Sequence, residues 1–323
     1  MRVLVTGGAG FIGSVTVAQL RDRGHDVVIV DDLSRGHREL VPDGVELITA
    51  DIGEPDRYRA VLDGVDACVH FAASIEAGES MKQPEAFFAN NTAATLRLLE
   101  ALVGAGVRRF VLSSTAAVYG DPVRVPIAED DPTTPTNAYG ASKLLIEGAL
   151  GWLARLRGMS CVALRYFNAA GATAERGEDH DPETHLIPLI LQVAAGRREE
   201  IAIYGTDYDT PDGTCVRDYV HVADLADAHV RAVEQVRDPG LLICNLGNGD
   251  GFSVRQVIDV AREVTGHALP AREAARRPGD PAVLVASAER ARERLGWKPQ
   301  RSDLSDIVAS AWEWHRRRWA GDA

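Results

Sequence analysis

TGGAGFIG, residues 6–13, joins the apolar run RVLVTG (2–7) to the helix-like run FIGSVTVAQLRDRG (11–24). It contains a G-x-x-G-x-x-G pattern, formed by Gly7, Gly10 and Gly13. At such a junction the chain must turn sharply, let a pyrophosphate approach the backbone and pack the helix on the strand. Each of these tasks favours a residue without a Cβ atom. Free N–H groups at the start of the helix then face the phosphates. The pattern therefore predicts a nucleotide-binding turn.

Apolar runs alternate with helical segments beyond this turn. Strands are predicted at 2–7, 26–31, 45–51, 67–72, 109–114, 161–167 and 241–247, and helices at 11–24, about 84–106, 137–158 and 218–236. Such alternation implies a parallel sheet with helices on both faces. We therefore predict an α/β fold, a Rossmann-type doubly wound parallel sheet with a smaller mixed, mostly helical substrate-binding lobe.

Asp31 ends the second predicted strand, where an acid can accept both ribose hydroxyls of adenosine. Its charge repels a 2′-phosphate, so NAD is favoured over NADP. Arg35 and Arg38 lie close by and keep NADP open as an alternative. The chain pattern predicts an NAD-binding Rossmann domain and a substrate lobe, with these boundaries: 1–168 plus 215–247, and 169–214 plus 248–323.

The composition restricts the partners of the protein. A formal net charge of -12 over 323 residues argues against nucleic acid or an anionic membrane as a partner. The four cysteines are widely spaced, without a C-x-x-C pair, which indicates reduced thiols in a cytoplasm and suggests no metal site. We expect a cytoplasmic protein without a bound metal.

Tyr139 and Lys143 lie four residues apart on a predicted helix and therefore share one of its faces. Upstream, Ser113, Ser114 and Thr115 end a strand, at the same rim of the sheet as the glycine turn. An ammonium ~5 Å from a phenol favours its ionised form by ~3 kcal/mol at an effective dielectric of ~20. Of 35 basic residues three are lysines, so lysine at 143 indicates a specific use. We predict that this pair is an acid–base unit.

Six segments together resemble the UDP-glucose 4-epimerase family of the extended short-chain dehydrogenases/reductases. They are TGGAGFIG, SSTAAVYG, YGASK, RYFNAAG, DGTCVRDYVHVADLADAHV and RRPGDPAVLVAS. The resemblance implies an isomerase that interconverts UDP-galactose and UDP-glucose through a 4-keto intermediate, with NAD as cofactor. It also implies a homodimer, with the long helices near 84–106 and 137–158 packed against a partner.

The resemblance also implies roles for particular residues. Tyr139 would be the base, Thr115 would connect it to the sugar oxygen, and Lys143 would hold the nicotinamide ribose. The cofactor would contact Gly7, Gly10, Phe11, Ile12, Gly13, Asp31, Asp32, Leu33, Ser34, Asp51, Ile52, Phe71, Ala72, Ala73, Asn90, Ser113, Tyr139, Lys143, Tyr166 and Phe167. The UDP-sugar would contact Thr115, Asn168, His185, Leu186, Tyr204, Arg217, Arg277, Asp280 and Leu284.

Two positions set this chain apart within the resemblance. Relatives carry a lysine near Ser74 or Ile75 that helps hold the cofactor, whereas this loop has no lysine and adds Glu76. We therefore expect weaker NAD retention. Leu284 stands where the family bounds the pocket near the sugar 2-substituent, and leucine is intermediate between a large tyrosine and a small residue.

Other functions fit these residues less well. A 4,6-dehydratase needs an acid and a base directly after the threonine, where this chain has Ala116 and Ala117. A 4-epimerase of UDP-N-acetylglucosamine or UDP-glucuronate is a nearer alternative. A non-catalytic NAD-sensing binding protein is more remote, because it has no need of the catalytic residues that are present here.

Overall fold

The computed structural model describes residues 1–277 and 280–320. The predicted lobe segment 248–323 therefore includes five residues, 278–279 and 321–323, that lie outside the described residues. None of the helices in the described part of the chain combines the length and the apolar character that crossing a bilayer requires.

Strands and helices alternate along most of the chain. The strands are β1 (Arg2–Thr6), β2 (Asp26–Asp31), β3 (Glu46–Thr49), β4 (Ala67–His70), β5 (Arg109–Thr115), β6 (Ser160–Tyr166), β7 (Asn168–Ala170), β8 (Ile201–Tyr204), β9 (Val216–Arg217), β10 (Tyr219–His221), β11 (Gly240–Leu246), β12 (Phe252–Ser253), β13 (Ala271–Ala274) and β14 (Val283–Leu284). The helices are α1 (Phe11–Asp22), α2 (Ala77–Ser80), α3 (Pro84–Phe87), α4 (Ala94–Gly104), α5 (Ala138–Arg157), α6 (Leu186–Ala194), α7 (Val222–Gln235), α8 (Val254–Thr265), α9 (Glu289–Leu295) and α10 (Leu304–Ala320).

The main sheet has seven parallel strands in the order β11-β6-β5-β4-β1-β2-β3. The order reverses beside β1, so a crevice opens at the carboxyl ends of β1 and β4, where ligands of such sheets bind. Apolar residues of α4 and α5 cover one face of the sheet, and residues of α1 and α7 cover the other. The predicted doubly wound α/β fold is confirmed.

A third apolar cluster lies apart from the two sheet faces. It joins residues of α6, α8 and α10 with β8, and Ile190, Ile258 and Ile307 are among its most buried members. Three small sheets, β10-β7, β12-β9-β14 and β13-β8, lie outside the main sheet, and strands of each contribute residues to this cluster. A separate core of this kind supports the predicted lobe, although the domain boundaries themselves stay a prediction.

Local signals explain where α5 begins and ends. The side chain of Asn137 accepts a hydrogen bond from the backbone N–H of Gly140 at 2.8 Å, as an N-cap does. Gly158 closes the helix in the left-handed conformation, with φ 65°. The helix predicted at about 84–106 is instead divided, because a π-helical turn at Phe88–Ala93 separates α3 from α4.

A buried ion pair joins α5 to the sheet. The guanidinium of Arg165 on β6 donates to Glu147 on α5 at 2.6 and 3.0 Å, and both side chains are 3% exposed. Glu147 also accepts from the hydroxyl of Ser114 on β5 at 2.6 Å, and Arg165 donates to the hydroxyl of Tyr119 at 2.9 Å. Every strong donor and acceptor of the pair therefore has a partner that fixes α5 against two strands.

Glu147→Leu should lower the thermal unfolding midpoint markedly. Arg165 would stay buried without its carboxylate, and removing one partner of a buried pair costs ~3–5 kcal/mol. Asp130→Asn is the matched control, because it removes a surface ion pair with Arg290 in which Asp130 is 81% exposed. Calorimetry of both variants and the wild type gives the comparison. Equal midpoints for Glu147→Leu and wild type would show that the pair does not hold the helix in place.

Candidate active site

In the glycine turn between β1 and α1, backbone segments pack so closely that two of the glycines leave no room for a Cβ atom. A Cβ atom at Gly7, where φ is +70°, would lie 2.5 Å from the backbone nitrogen of Ala72. At Gly13 it would lie 2.1 Å from the carbonyl oxygen of Gly7. At Gly10 the nearest atom would be 3.4 Å away, so a ligand can approach the backbone there. This cradle, at the start of α1, fits the pyrophosphate of a dinucleotide.

Asp31 is fixed beside this turn. Its carboxylate accepts hydrogen bonds from the backbone N–H of Ala9 and of Leu33, each at 2.9 Å. Burial raises the pKa of Asp31, and these two hydrogen bonds oppose the rise. The nearby arginines serve other contacts, since Arg35 pairs with Glu76 at 3.2 Å and Arg38 donates to Thr49 at 3.1 Å. The arrangement fits a ribose with free hydroxyls, as NAD has.

A cavity of about 550 Å³ extends from the glycine turn across the crevice of the sheet. Its walls include almost all of the predicted cofactor contacts: Gly7, Gly10, Phe11, Ile12, Gly13, Asp31, Asp32, Ser34, Asp51, Ile52, Phe71, Ala72, Ala73, Asn90, Ser113, Tyr139, Tyr166 and Phe167. Leu33 and Lys143 do not line it. Leu33 is part of the turn that holds Asp31, and Lys143 is buried behind the wall.

Tyr139 and Thr115 both line this cavity, with the Thr115 hydroxyl close enough to the phenol of Tyr139 to affect its pKa. The pKa of Tyr139 is raised to about 12, mainly by burial and also by the charge of Glu76, while the Thr115 hydroxyl opposes the rise. The phenol therefore needs added positive charge to ionise near neutral pH. A phenol needs a nearby cation to act as a base at neutral pH, and burial makes that need larger.

Lys143 is 1% exposed and donates from Nζ to the carbonyl oxygen of Ser113 at 3.0 Å. Burial lowers the pKa of Lys143 to about 8, although the carboxylate of Glu147, one turn along α5, raises it. The lysine side chain thus connects α5, which carries Tyr139, to β5, which carries Thr115.

A second cavity of about 1390 Å³ adjoins the first. All of the predicted substrate contacts line it, namely Thr115, Asn168, His185, Leu186, Tyr204, Arg217, Arg277, Asp280 and Leu284. Thr115, Asn168 and His185 line both cavities. The structure thus brings the predicted substrate residues together from β5, β7 and the lobe, while the role of each one stays a prediction.

Two arginines reach the second cavity from different strands and loops. Arg217 on β9 forms an ion pair with Asp280, and the guanidinium of Arg277 lies 4.0 Å above the ring of Tyr204. Both guanidinium groups are thereby oriented before any ligand arrives. Planar guanidinium groups bind phosphate oxygens through paired hydrogen bonds, so this pair can clamp a diphosphate.

The loop that lacks the family lysine has a different arrangement. Ser74 is held by two asparagines, with its N–H donating to Asn91 at 2.8 Å and its hydroxyl accepting from Asn90 at 3.0 Å. Glu76 pairs with Arg35, which comes from the other side of the first cavity. A cation is thus present near this loop, although the expected weakening of NAD retention stays a prediction.

Sequence reasoning missed several residues of these walls. Glu178 and His180 line the first cavity, and Glu183 lines the second. Together with His185 they form a four-residue group whose ligand atoms lie within 4.8 Å of one another. The expectation of no metal was based on cysteine spacing, whereas the signal here is the pattern E-x-H-x-x-E-x-H at 178–185.

Comparison with known proteins identifies relatives of the whole chain. The model of the NAD dependent epimerase/dehydratase family matches residues 3–247. A UDP-glucose 4-epimerase from Streptomyces lividans is 55% identical over 317 residues, covering 97% of this chain and 96% of that protein. Among solved structures, UDP-glucose 4-epimerase from Brucella ovis in complex with NAD is 44% identical, with a TM-score of 0.93 and coverage of 96% and 97%.

A second solved structure is that of UDP-glucose 4-epimerase from Bifidobacterium longum in complex with NAD+ and UDP. It is 37% identical, with a TM-score of 0.94, and the match covers 99% of this chain and 100% of that one. These matches confirm the resemblance that the six sequence segments indicated. The chain belongs to the NAD dependent epimerase/dehydratase family.

Proposed function

We propose that this protein interconverts UDP-galactose and UDP-glucose by reversible oxidation at C4 of the sugar, through a 4-keto intermediate, with NAD as cofactor. The observation that carries the proposal is the position of Thr115. This residue lines both cavities, and its hydroxyl lies close enough to Tyr139, the acid–base candidate, to lower the pKa of the phenol. Incubation with UDP-galactose and NAD should yield UDP-glucose, and no conversion would contradict the proposal.

The residues of this chain would divide the reaction between them. Tyr139 would take the proton of the sugar 4-hydroxyl and return it later, with Thr115 connecting the phenol to the sugar oxygen. Lys143 would hold the nicotinamide ribose and favour the ionised phenol. Bound NAD supplies a reversible hydride acceptor for C4. Ala116 and Ala117 carry no proton-transfer group, so the water elimination of a dehydratase has no acid and base at these positions.

The second cavity suits a sugar that must turn over during the reaction. We propose that Arg217 and Arg277 clamp the diphosphate while the sugar stays mobile beside Thr115 and Leu284. A volume of about 1390 Å³ leaves room for the 4-keto sugar to present its opposite face to the cofactor. Epimerisation follows when the hydride returns to that face.

Exposed apolar residues on α5 and α4 support the prediction of a homodimer. Leu145, Trp152 and Leu156 lie on one face of α5 and are 55%, 59% and 66% exposed. Leu96 on the neighbouring α4 is 45% exposed. Apolar residues at this helical spacing are typical of a packed helix face, so we propose that α4 and α5 pair with the same helices of a second copy.

The state of the four cysteine thiols indicates the compartment in which the protein acts. Cys68, Cys161, Cys215 and Cys244 are all free and buried. Free thiols are the normal state in a reducing compartment, and we propose a cytoplasmic location on that ground.

Tyr139→Phe should reduce turnover of UDP-galactose by several orders of magnitude, because the ring stays while the base is lost. NAD binding should persist, as the cofactor fluorescence or absorbance of the purified variant would show. Tyr208→Phe is the matched control, since the Tyr208 hydroxyl is buried and has no hydrogen-bond partner in the described part of the chain. Near-normal turnover in Tyr139→Phe would remove this residue from the mechanism.

Lys143→Met should lower activity at neutral pH and change its pH dependence. Burial already favours the neutral phenol of Tyr139, and loss of the ammonium would remove a charge that we propose favours the ionised form. The residual rate should therefore climb by up to ~tenfold per pH unit above neutrality, while the wild-type rate levels off. If the two pH profiles of kcat coincide, Lys143 does not tune the tyrosine.

Leu284 should make the enzyme prefer sugars without an N-acetyl group. It lines the second cavity and packs in a cluster with Val118, Tyr119 and Phe167. Leucine offers no hydrogen bond to an acetamide oxygen, so we expect UDP-glucose and UDP-galactose to be preferred by roughly ten- to a hundred-fold in kcat/KM. Leu284→Tyr should widen the preference and Leu284→Ser should narrow it. Equal efficiency on both pairs of substrates in the wild type would refute this assignment.

Trp152→Glu should convert the dimer to a monomer in sedimentation experiments, because a charge at the centre of the apolar face opposes its burial. Val123→Glu serves as the control. Val123 is also apolar and 72% exposed, but it lies outside α4 and α5. A monomeric wild type, or a Trp152→Glu dimer as tight as the wild type, would exclude this interface.

A further inference from the structure

Two glutamates and two histidines converge in the loop between β7 and α6. Glu178, His180, Glu183 and His185 each direct one ligand atom at the others, and these four atoms lie within 4.8 Å of one another. His185 Nδ1 lies 2.6 Å from Glu178 Oε1 and 3.0 Å from Glu183 Oε1. His180 Nδ1 lies 3.1 Å from the same Glu178 oxygen. The group is thus compact and is built from side chains of a single loop.

Hydrogen bonding from His185 does not account for all of these short contacts. Nδ1 of His185 carries one proton at most, yet two carboxylate oxygens approach it within hydrogen-bond distance. Both carboxylates are also largely removed from water, since the side chains of Glu178 and Glu183 are 5% exposed. Two buried carboxylates side by side need positive charge, which either a protonated histidine of the group or a bound cation can supply. A cation at the centre of the group would contact all four ligand atoms at once.

The loop is held from outside by groups that do not belong to the cluster. Arg35 donates to the carbonyl oxygen of Asp181, and His37 Nε2 lies 2.8 Å from the carbonyl oxygen of Asp179. Arg318 on α10 donates to the Asp179 carboxylate at 2.9 Å. These contacts fix the backbone between the four ligands. The ligands are therefore presented by an ordered loop, which lowers the cost of binding an ion.

We propose that Glu178, His180, Glu183 and His185 bind one divalent transition-metal ion of the zinc type. Two imidazole nitrogens and two carboxylate oxygens are a ligand set that zinc accepts in tetrahedral geometry. Bond lengths of ~2.0–2.2 Å place tetrahedral ligands ~3.3–3.6 Å apart, so the group needs only a small rearrangement around the ion. The metal would be structural, because the four protein ligands complete its coordination.

The position of the loop indicates which part of the site the metal would stabilise. Glu178, His180 and His185 line the first cavity, and Glu183 and His185 line the second. His185 directly precedes α6, whose first residue, Leu186, lines the second cavity as well. An ion here would hold the wall that the two cavities share. Its loss should loosen the start of α6 and weaken binding in the second cavity.

Metal content of the untagged full-length protein tests the proposal directly. Protein purified without chelators and dialysed against metal-free buffer should take up one zinc per chain in a titration with Zn²⁺ against a chromogenic chelator. Removal by a chelator should lower the unfolding midpoint by several degrees, and added Zn²⁺ should restore it. No stoichiometric uptake by the wild-type protein would overturn the proposal.

Variants separate this site from zinc bound elsewhere on the surface. His180→Ala and Glu178→Gln should each weaken zinc binding by more than the ~10–100-fold that changes around a metal site typically cost. His267→Ala, an exposed histidine away from the loop, should bind zinc like the wild type. Asp179→Asn disturbs the loop contacts without removing a ligand, and it should keep one zinc per chain. Zinc affinity that is equal in His180→Ala and the wild type would overturn the proposal, even if Glu178→Gln does not fold.

Discussion

The anchoring of α5 against the ends of β5 and β6 is the constraint on which the site depends. Glu147 and Arg165 form a pair that is almost fully buried, and Lys143 holds the carbonyl of Ser113 from the same helix. These contacts set the distance between Tyr139 on the helix and Thr115 on the strand. Both cavities meet at Thr115, so the position of one helix decides whether cofactor, base and substrate come together.

Burial changes the pKa values of the site residues as well as making their positions rigid. It raises the pKa of Tyr139 to about 12 and lowers the pKa of Lys143 to about 8, so each group is driven toward its neutral form. A base is available only when positive charge is added next to the phenol. We propose that the ammonium of Lys143 supplies part of that charge, and the oxidised nicotinamide is itself positive. Proton removal from the sugar is therefore linked to the oxidised cofactor that can accept a hydride.

The sequence predicted those features that depend on local chemistry. The glycine turn, Asp31 and the Tyr139–Lys143 pair could be assigned because strand ends, helix starts and i, i+4 spacing place them. The ion pairs of Glu147 with Arg165 and of Arg35 with Glu76 could not be predicted, because each joins elements that only the folded chain brings together. The four residues of the Glu178–His185 loop could not be predicted for another reason. They lie in a segment without helical or strand periodicity, so their spacing does not place them on one face. The metal expectation was based on cysteines, which do not indicate histidine and glutamate ligands.

The fate of the C4 hydrogen tests the proposed mechanism most directly. This hydrogen is the one that would pass from the sugar to NAD and back. UDP-galactose with deuterium at C4 should yield UDP-glucose that keeps the deuterium at C4, with none released to water. The hydride would then leave and return within one closed site. Loss of the deuterium to solvent, or incorporation of solvent deuterium at C4 when the reaction runs in D₂O, would contradict a mechanism of oxidation and return on bound NAD.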